Sequence, residues 1–445
     1  MATTRSDELA RPGPATGPEP VTTLASRYTE VRALTESLAE PLSPEDQTVQ
    51  SMPDVSPTKW HRGHVTWFFE TFLLQPWLRG YEQFHPAFAY IFNSYYETIG
   101  ARHPRAERGL VSRPGVSEIA AYRRHVDSAM AELLARTPDE SVRSLVELGI
   151  NHEQQHQELL LMDIKHVLSR NPLQPAYRGP VAGPPVGDEG EGPPTVAPLG
   201  WYEHEGGLSE IGHRGDGFAF DNESPRHRVL LAPFALADRP VTCGEWLAFM
   251  QDGGYSRPEL WLSDGWAAVQ QQGWRAPLYW SDGGGDTSGD GWRIFTLAGP
   301  RPVDPSEPVC HTSYYEADAY AHWAGARLPT ESEWEFVAAR QEVRGNFLDP
   351  SRLHPRPAVQ AGASLFGDVW EWTASAYSPY PAYRAARGAV GEYNGKFMVN
   401  QYVLRGGSCV TPKDHVRASY RNFFPAASRW AFAGVRLARD PGGDR

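Results

Sequence analysis

A long helical pattern that carries two histidines constrains the fold of this chain more than any other feature. The pattern runs from about Asp139 to Ser169, and His152 and His156 lie inside it, four residues apart. Side chains at that spacing lie on one helix face, one turn from each other, so both imidazoles can bind a single metal ion. A further ligand must come from another helix, and the sequence therefore predicts a metal site inside a helical bundle.

Three further helices are predicted ahead of this one, at Val21–Glu40, Thr58–Leu78 and Val116–Arg136. The second begins at a Ser-Pro pair, with proline in the first helical position, and is apolar nearly all round, so we expect it to be buried. Four helices with one long connection, Arg79–Gly115, predict a four-helix bundle. A connection of that length is often functional.

The rest of the chain differs from the bundle in composition. Residues 1–20 contain Pro, Gly and Glu and are predicted to be a disordered leader, and the Pro/Gly-rich residues 171–200 are predicted to be a linker. Beyond the linker, short strand-like runs alternate with loops and with short helices, predicted at Thr242–Asp252, at Tyr314–Gly325 and from near Thr330. The predicted fold class is therefore α plus α+β: a helical bundle at residues 21–170 and an α+β domain at residues 201–440.

Composition narrows the class of protein. The net charge is −12 and the sequence contains no block of Lys or Arg, which argues against a nucleic-acid or an anionic-membrane partner. No apolar stretch approaches the length of a membrane span. The three cysteines are scattered and lack CxxC spacing, which is typical of a reducing compartment. We therefore expect a cytoplasmic protein.

The second predicted helix offers two histidines as the third metal ligand. His64 shares a helix face with tryptophan and phenylalanine side chains and is expected to point into the bundle, so it is the better candidate. In the alternative interpretation His64 is an ordinary buried histidine and His61 lies at the surface. For His152 and His156 the alternative is a pair of solvated polar residues, but the two continue an apolar stripe, which favours a functional role.

The same segment fits H-E-x-x-H, the signature of zinc proteases, in which Glu153 would be the general base. The extended protease motif needs Gly and His where this chain has Leu159 and Met162, so the context argues against a protease. A three-histidine site with open positions suits Fe(II), which can hold two substrates and O₂ together. Zinc with three histidines and one water stays open on ligand type alone.

Four phrases in the C-terminal half are jointly specific. They are Arg327–Glu335 (RLPTESEWE), Gly367–Trp372 (GDVWEW), Arg405–Ser408 (RGGS) and Phe432–Arg436 (FAGVR). Together they resemble the formylglycine-generating-enzyme-like domain, a variant of the C-type-lectin-like fold. Members that oxidise sulfatase cysteines carry two active-site cysteines after the Arg-Gly-Gly-Ser phrase. Only Cys409 follows it here, so formylglycine generation is not expected.

The N-terminal half resembles the DinB-like four-helix bundle. A bundle of this kind followed by such a C-terminal domain is the architecture of the ergothioneine-biosynthesis sulfoxide synthases, which are non-haem iron enzymes. The phrases Trp60–Glu70 and Phe92–Glu97 look like that family's. The resemblance spans residues 21–440 and implies Fe(II) ligands at His64, His152 and His156. It further implies O₂-dependent joining of a thiol sulfur to the imidazole of hercynine (Nα-trimethylhistidine) to give a sulfoxide.

The resemblance also implies residues that bind hercynine. Gln155 matches a glutamine that hydrogen-bonds the substrate imidazole. Asn422, Phe423 and Phe424 match the hercynine-pocket stretch. That match is chemically coherent, because a trimethylammonium group donates no hydrogen bonds and is best held by aromatic faces and a polar oxygen. Without the family context, the same stretch would be taken for the end of a core strand.

A tyrosine near the iron is expected as proton donor. This chain resembles the family subtype that has an adjacent Tyr-Tyr pair in the long connection, so Tyr95 or Tyr96 is the favoured donor, and Tyr377 and Tyr380 are competing candidates. Two arginines, Arg105 and Arg108, are expected to bind the carboxylate of the thiol substrate. Glu158 is expected to support a ligand histidine.

The sulfur donor is predicted from one departure from the family pattern. The branch that uses γ-glutamylcysteine has an Asp where this chain has Phe424, and together with the Tyr-Tyr pair this favours free cysteine. Three alternatives remain. The first is a selenoneine- or ovothiol-type synthase on the same scaffold, the second a zinc-dependent hydrolase or thiol transferase, and the third a non-catalytic lectin-like binding protein.

Overall fold

The computed structural model describes residues 23–136, 138–179, 196–215, 217–282, 291–357 and 365–441. The predicted leader, residues 1–20, lies outside the described residues, as do residues 180–195 of the predicted linker. The prediction of a helical bundle followed by an α+β domain is confirmed. Within the described ranges, no helix combines the length and the apolar character needed to cross a membrane.

The N-terminal part is built from helices. They are α1 (Leu24–Ala39), α2 (Thr58–Phe69), α3 (Gln75–Trp77), α4 (Phe88–Phe92), α5 (Val116–Ala135) and α6 (Glu140–Ser169). Helices α1, α2, α5 and α6 pack as a bundle, in which α6 contacts both α1 and α2. The first turns of α1 and α6 are capped by side chains: Thr23 accepts a hydrogen bond from the backbone N–H of Ser26, and Asp139 accepts one from that of Val142.

The second predicted helix is interrupted. We predicted one helix over Thr58–Leu78, but α2 ends at Phe69 and a π-helical turn, Glu70–Leu74, separates it from α3. The buried Glu70 carboxylate in this turn accepts hydrogen bonds from the hydroxyls of Tyr81 (2.7 Å) and Tyr122 (2.6 Å). Single π-turns inside helices are frequent at functional sites, and this one follows His64 by less than two helical turns.

The described residues of the C-terminal part form short helices and four small sheets. Its helices are α7 (Cys243–Gln251), α8 (Ser263–Gln272), α9 (Tyr314–Trp323) and α10 (Glu331–Ala338). Its strands are β1 (Trp201–His204), β2 (Gly207–Ile211), β3 (His227–Leu231), β4 (Phe234–Ala237), β5 (Trp280–Asp282), β6 (Trp292–Thr296), β7 (Gly299–Pro302), β8 (Trp370–Ala376), β9 (Gln401–Arg405), β10 (Asn422–Pro425), β11 (Ala433–Gly434) and β12 (Ala438–Arg439). The sheet orders are β1-β4-β12, β2-β3, β5-β6-β7 and β10-β9-β8-β11. In the last sheet β9 pairs antiparallel with β8 and β10, and β11 runs parallel to β8.

The four C-terminal sequence phrases meet in buried ion pairs. Glu331 on α10 accepts hydrogen bonds from Arg405 at the end of β9, at 2.9 Å. Glu371 on β8 accepts from the indole N–H of Trp334, at 2.6 Å, and from Arg436, at 2.8 Å. A buried charge is tolerated only when it is paired, so these partners fix how the phrases pack.

Candidate metal centre

Helices α2 and α6 bring three histidines together. His64, His152 and His156 each offer one ring nitrogen, and these nitrogens all lie within 4.8 Å of one another. His64 and His152 are buried, and their Nε2 atoms lie 3.1 Å apart. The His64 ring stacks on Trp60 at 4.7 Å and on Trp67 at 5.6 Å, which holds its plane.

The ring nitrogens are oriented for ligation. The Nδ1–H of His64 donates to the carbonyl of Phe92 at 2.6 Å, which leaves the Nε2 lone pair facing the other two histidines. Burial lowers the pKa of all three imidazoles, that of His152 to about 3, and the three rings lower one another further at His64 and His156. Three neutral imidazoles with convergent lone pairs match the donor set of a transition metal.

Glu153 is separated from this cluster although it follows His152 directly. Its carboxylate accepts hydrogen bonds from Arg32 at 2.9 Å, from Arg123 at 3.0 Å and from Thr35 at 2.7 Å. Burial opposes ionisation, but the two arginines hold the pKa of Glu153 below its usual value. The partners of this carboxylate lie on α1 and α5 and hold it in place. Glu153 is therefore not a general base for a substrate bound at the metal.

The alternative interpretation that put His61 at the surface is wrong. His61 is 3% exposed, with its ring between His156 and Asp163. The expectation that Glu158 supports a ligand histidine is also wrong. Its carboxylate instead accepts hydrogen bonds from Trp370, at 2.5 Å, and from Thr411, at 2.7 Å, in the C-terminal domain, and burial raises the pKa of Glu158 to about 7.

Tyr95 and Tyr96 do not contact His64 directly, because the ring of Trp67 lies between Tyr96 and His64. Tyr96 is fully buried, with its ring 5.6 Å from that of Trp67, which itself stacks on His64. The Tyr95 ring stacks on Tyr96 at 4.6 Å, and their hydroxyl oxygens are 3.5 Å apart. Burial raises the pKa of both phenols, so both carry their protons at neutral pH.

The competing tyrosines belong to other networks. The Tyr377 hydroxyl accepts from Asn222 at 2.8 Å, and the Tyr380 hydroxyl accepts from Arg405 at 3.0 Å. Both contacts lie inside the C-terminal domain.

Gln155 faces the C-terminal domain and is held at both ends of its amide. Its Nε2 donates to the hydroxyl of Tyr420 at 2.8 Å, and its Oε1 accepts from the hydroxyl of Tyr393. The Tyr393 ring packs edge-on against His152 at 5.5 Å. The contacts of Gln155 with these two tyrosines were not predicted, because both tyrosines lie in loops without the periodicity that marks a buried position.

The stretch 422–424 does not form one surface. Phe423 stacks on Tyr377 at 4.0 Å and lies 6.0 Å from Phe397, whose ring contacts Tyr95 at 5.1 Å. Phe424 packs instead against Trp430 at 5.6 Å. This follows from strand geometry, because successive side chains of β10 point to opposite faces.

The two arginines are also separated. Arg108 is buried, and its guanidinium lies 3.3 Å from the ring centre of Trp60, on which His64 stacks. It donates to two neutral hydroxyls, those of Ser56 (2.8 Å) and Ser94 (3.2 Å), and within the described ranges its Nε has no hydrogen-bond partner. Arg105 is exposed and donates to the carbonyl of Asp54.

A cavity of about 330 Å³ lies beside the cluster, between α6 and loops of the C-terminal domain. Its walls include Leu145 and Leu148 of α6, the rings of Phe220 and Tyr393, and the carboxylate-bearing Asp221. Since Tyr393 also contacts His152, the cavity and the histidines share one wall.

Comparison with known proteins agrees with this architecture. Residues 27–160 match the DinB superfamily, and residues 204–362 and 361–441 match the sulfatase-modifying factor enzyme 1-like domain. The chain is 33% identical to hercynine oxygenase of Mycolicibacterium thermoresistibile, over 87% of this chain and 88% of that protein. It is 32% identical to hercynine oxygenase of Mycobacterium tuberculosis, over 87% of this chain and 92% of that protein. It is 30% identical to the formylglycine-generating enzyme of Streptomyces coelicolor, over 48% of this chain and 78% of that protein.

Proposed function

Because the chain belongs to the hercynine oxygenase family, the sulfoxide synthases of ergothioneine biosynthesis, we propose that it joins the sulfur of cysteine to hercynine in an Fe(II)- and O₂-dependent reaction. The enzyme is an oxidoreductase. The observation that carries the proposal is the convergence of three neutral imidazoles from α2 and α6, two of them buried and that of His156 half-buried, in a chain similar to these oxygenases along most of its length.

The proposed reaction balances with O₂ as the only oxidant. The imidazole ring carbon of hercynine loses its hydrogen and the cysteine thiol loses its own as the C–S bond forms. One oxygen atom is transferred to sulfur, and the other leaves as water with those two hydrogens. The four electrons that O₂ accepts come from C–S bond formation and from oxidation of the sulfur to the sulfoxide.

His64, His152 and His156 are the proposed ligands of Fe(II). When bound, Fe(II) supplies open coordination positions at which a thiolate and O₂ meet next to the second substrate. The three side chains suit this role because burial keeps them neutral and the contact of His64 with Phe92 fixes which nitrogen faces the centre.

Gln155 is the proposed partner of the hercynine imidazole. Its amide is oriented by Tyr393 and Tyr420, and the carbonyl oxygen that accepts from Tyr393 retains a second lone pair for an imidazole N–H. We propose that the trimethylammonium group binds against the aromatic faces near Phe423, together with Asn422. Phe424 packs on the other face of β10 and is not proposed to contact this group. We propose that it affects the choice of sulfur donor, because it replaces the Asp found in the branch that uses γ-glutamylcysteine.

Arg108, rather than Arg105, is proposed to bind the carboxylate of cysteine. It is a buried guanidinium close to the histidines, and its described hydrogen bonds go to neutral hydroxyls only. A carboxylate would compensate that buried charge and make two parallel hydrogen bonds with the guanidinium. Tyr95 or Tyr96 is proposed as the proton donor, because both phenols retain their protons at neutral pH.

The test begins with anaerobic reconstitution with Fe(II), followed by hercynine, cysteine and air-saturated buffer. We expect one O₂ consumed for each hercynine–cysteine sulfoxide, measured by an oxygen electrode and mass spectrometry. Parallel reactions contain γ-glutamylcysteine, a selenium donor or histidine, and the preferred pair identifies donor and acceptor. No O₂ uptake with any thiol would refute the proposal and leave the hydrolase and the binding-protein alternatives.

The proton-donor assignment has its own test in the phenylalanine variants Tyr95→Phe and Tyr96→Phe. Loss of the donor is expected to lower kcat by about 10²- to 10⁴-fold with a smaller change in KM. Tyr90→Phe is the matched control, since Tyr90 lies in the same connection and is 44% exposed. Equal losses of kcat and of substrate affinity in both variants would indicate a structural role instead.

A further inference from the structure

A chain of hydrogen bonds leads from the histidine cluster to a buried carboxylate. The Nδ1 atom of His156 lies 2.8 Å from Nδ1 of His61, and Nε2 of His61 lies 3.0 Å from Oδ2 of Asp163. The same carboxylate oxygen accepts the backbone N–H of Ser56 at 2.7 Å. His61 and Asp163 are each 3% exposed, so water does not compete for these bonds.

Two helices build this chain of contacts. Asp163 follows His156 by seven residues on α6, and His61 precedes His64 by three residues on α2. Both spacings bring side chains to the same helix face. His61 therefore lies on the same helix face as His64, and Asp163 on the same face as His156. Both lie on the side of His156 that faces away from the cluster.

If His156 binds a metal through Nε2, only one placement of the hydrogen atoms satisfies both hydrogen bonds from His156 to Asp163. The Nδ1 of His156 then carries the hydrogen and donates it to Nδ1 of His61. His61 must accept at Nδ1, so its own hydrogen is on Nε2 and is donated to Asp163. The carboxylate has no hydrogen to give, and it therefore sets the direction of the whole chain.

We propose that His61 is a positioning residue of the metal centre, which transmits the hydrogen bond of Asp163 to His156. It holds His156 in the tautomer and ring orientation that turn Nε2 toward the metal. The common arrangement is a carboxylate or carbonyl bonded directly to the ligand histidine. His64 follows that arrangement through the carbonyl of Phe92, whereas His156 uses an interposed imidazole.

The inference rests on the proposed metal centre, so its test measures metal binding rather than turnover. Metal-free protein is titrated anaerobically with Co²⁺, followed by its visible absorption, and with Fe²⁺ against a chelator. His61→Phe, which removes the chain but keeps an aromatic ring, is expected to weaken both metals by about 10- to 100-fold. His61→Asn keeps an acceptor near the Nδ1 position and is expected to recover most of that loss.

Two reference variants give the result its meaning. His64→Ala defines complete loss of a ligand, and His61→Phe must retain more affinity than it does. His166→Phe removes another buried histidine of α6, one that bonds Ser51 at 2.6 Å outside the cluster, and is expected to leave the affinity unchanged. Far-UV circular dichroism and urea unfolding of the metal-free variants check that each one folds.

The possible outcomes separate the two proposals. A wild-type chain that binds neither metal overturns the metal centre and this inference together. Wild-type binding with unchanged affinity in His61→Phe, or with the same loss in His166→Phe, overturns the inference alone. A loss in His61→Phe as large as in His64→Ala also overturns it, because His61 would then be a ligand itself.

Discussion

Adjacent side chains of α6 contact different partners, because each residue turns by about 100° around the helix axis. His152 faces α2, the next residue, Glu153, pairs with Arg32 and Arg123, and Gln155 reaches the C-terminal domain. The spacing of the two histidines predicted that they share a face. Their neighbours' partners lie far away in the sequence, and spacing alone contains no information about them.

Glu153 provides a prediction about stability. Replacing it with Gln keeps its size but removes the buried carboxylate that pairs with both Arg32 and Arg123, and leaves each guanidinium with only one, partly exposed carboxylate as its charged partner. We expect the free energy of unfolding to fall by about 2–4 kcal/mol in urea denaturation. The matched variant Glu147→Gln, on the same helix, breaks a partly exposed pair with Arg27 and is expected to cost less than about 1 kcal/mol. Similar effects of the two variants would contradict the assigned role of the buried network.

Lys165 provides a prediction about pH. Burial lowers its pKa to about 8, and its ammonium group lies 2.7 Å from Nε2 of His311. Between pH 8 and the usual lysine pKa near 10.5, the unfolded chain binds more protons than the native one, so this residue makes stability rise with pH. From pH 8 to 9.5 the wild type is expected to gain roughly 1–2 kcal/mol relative to Lys165→Met.

Urea unfolding at several pH values measures that difference between the two proteins. Other titrating groups contribute equally to both and cancel in the comparison. Lys413→Met removes an exposed lysine and is the control. Parallel pH profiles of Lys165→Met and the wild type would contradict the prediction.

At the scale of elements, the sequence was most informative where hydrophobic periodicity was long. The pattern from Asp139 to Ser169 corresponds to α6, with Asp139 as its N-cap. Periodicity did not reveal the π-turn at Glu70–Leu74, because the hydrogen bonds of Glu70 to tyrosines of the connection and of α5 are tertiary. His61 was misjudged for a related reason: its partner Asp163 belongs to another helix.

The crossing of α2 and α6 sets the spacing of the ligands and yields the next prediction. A Cβ atom at Gly149 would lie 2.5 Å from Cε1 of Phe69 and 3.1 Å from Cε1 of Phe68. Gly149→Ala therefore forces the two helices apart and should separate His64 from the histidines of α6. We expect a destabilisation of about 1–3 kcal/mol in urea unfolding and weaker Co²⁺ binding by absorption titration.

A glycine with open surroundings is the control for this variant. A Cβ at Gly179 would meet no atom within 4 Å, so Gly179→Ala is expected to change neither quantity. Unchanged Co²⁺ affinity in Gly149→Ala would show that the ligand spacing does not depend on this helix contact.

At the scale of the whole molecule, the candidate site lies where the two domains meet. The bundle contributes the histidines, and the C-terminal domain contributes Tyr393 and Tyr420 to Gln155. A segment of that domain also contacts the Tyr95 loop, since the carboxylate of Glu392 accepts the backbone N–H groups of Glu97 and Thr98 at 3.0 Å. The sequence predicted both domains but not this assembly, because the contacting loops carry no periodic pattern.

Glu158 tests how strongly the domains are coupled. It projects from α6 into the C-terminal domain, where it accepts hydrogen bonds from Trp370 and Thr411. Glu158→Ala leaves the indole N–H and the hydroxyl without this acceptor, and we expect the free energy of unfolding to fall by about 2–4 kcal/mol. Glu140→Ala, at the exposed start of the same helix, is expected to have little effect.

A double-mutant cycle with Thr411→Val assigns part of that loss to the contact between the domains. Valine matches threonine in shape but has no hydroxyl, so in the wild-type background it leaves Glu158 with one donor fewer. In the Glu158→Ala background that hydrogen bond is already absent, and Thr411→Val should therefore cost about 1 kcal/mol less. Calorimetry of the full chain supplies the free energies. Additive effects of the two substitutions would mean that this contact does not couple the bundle to the C-terminal domain.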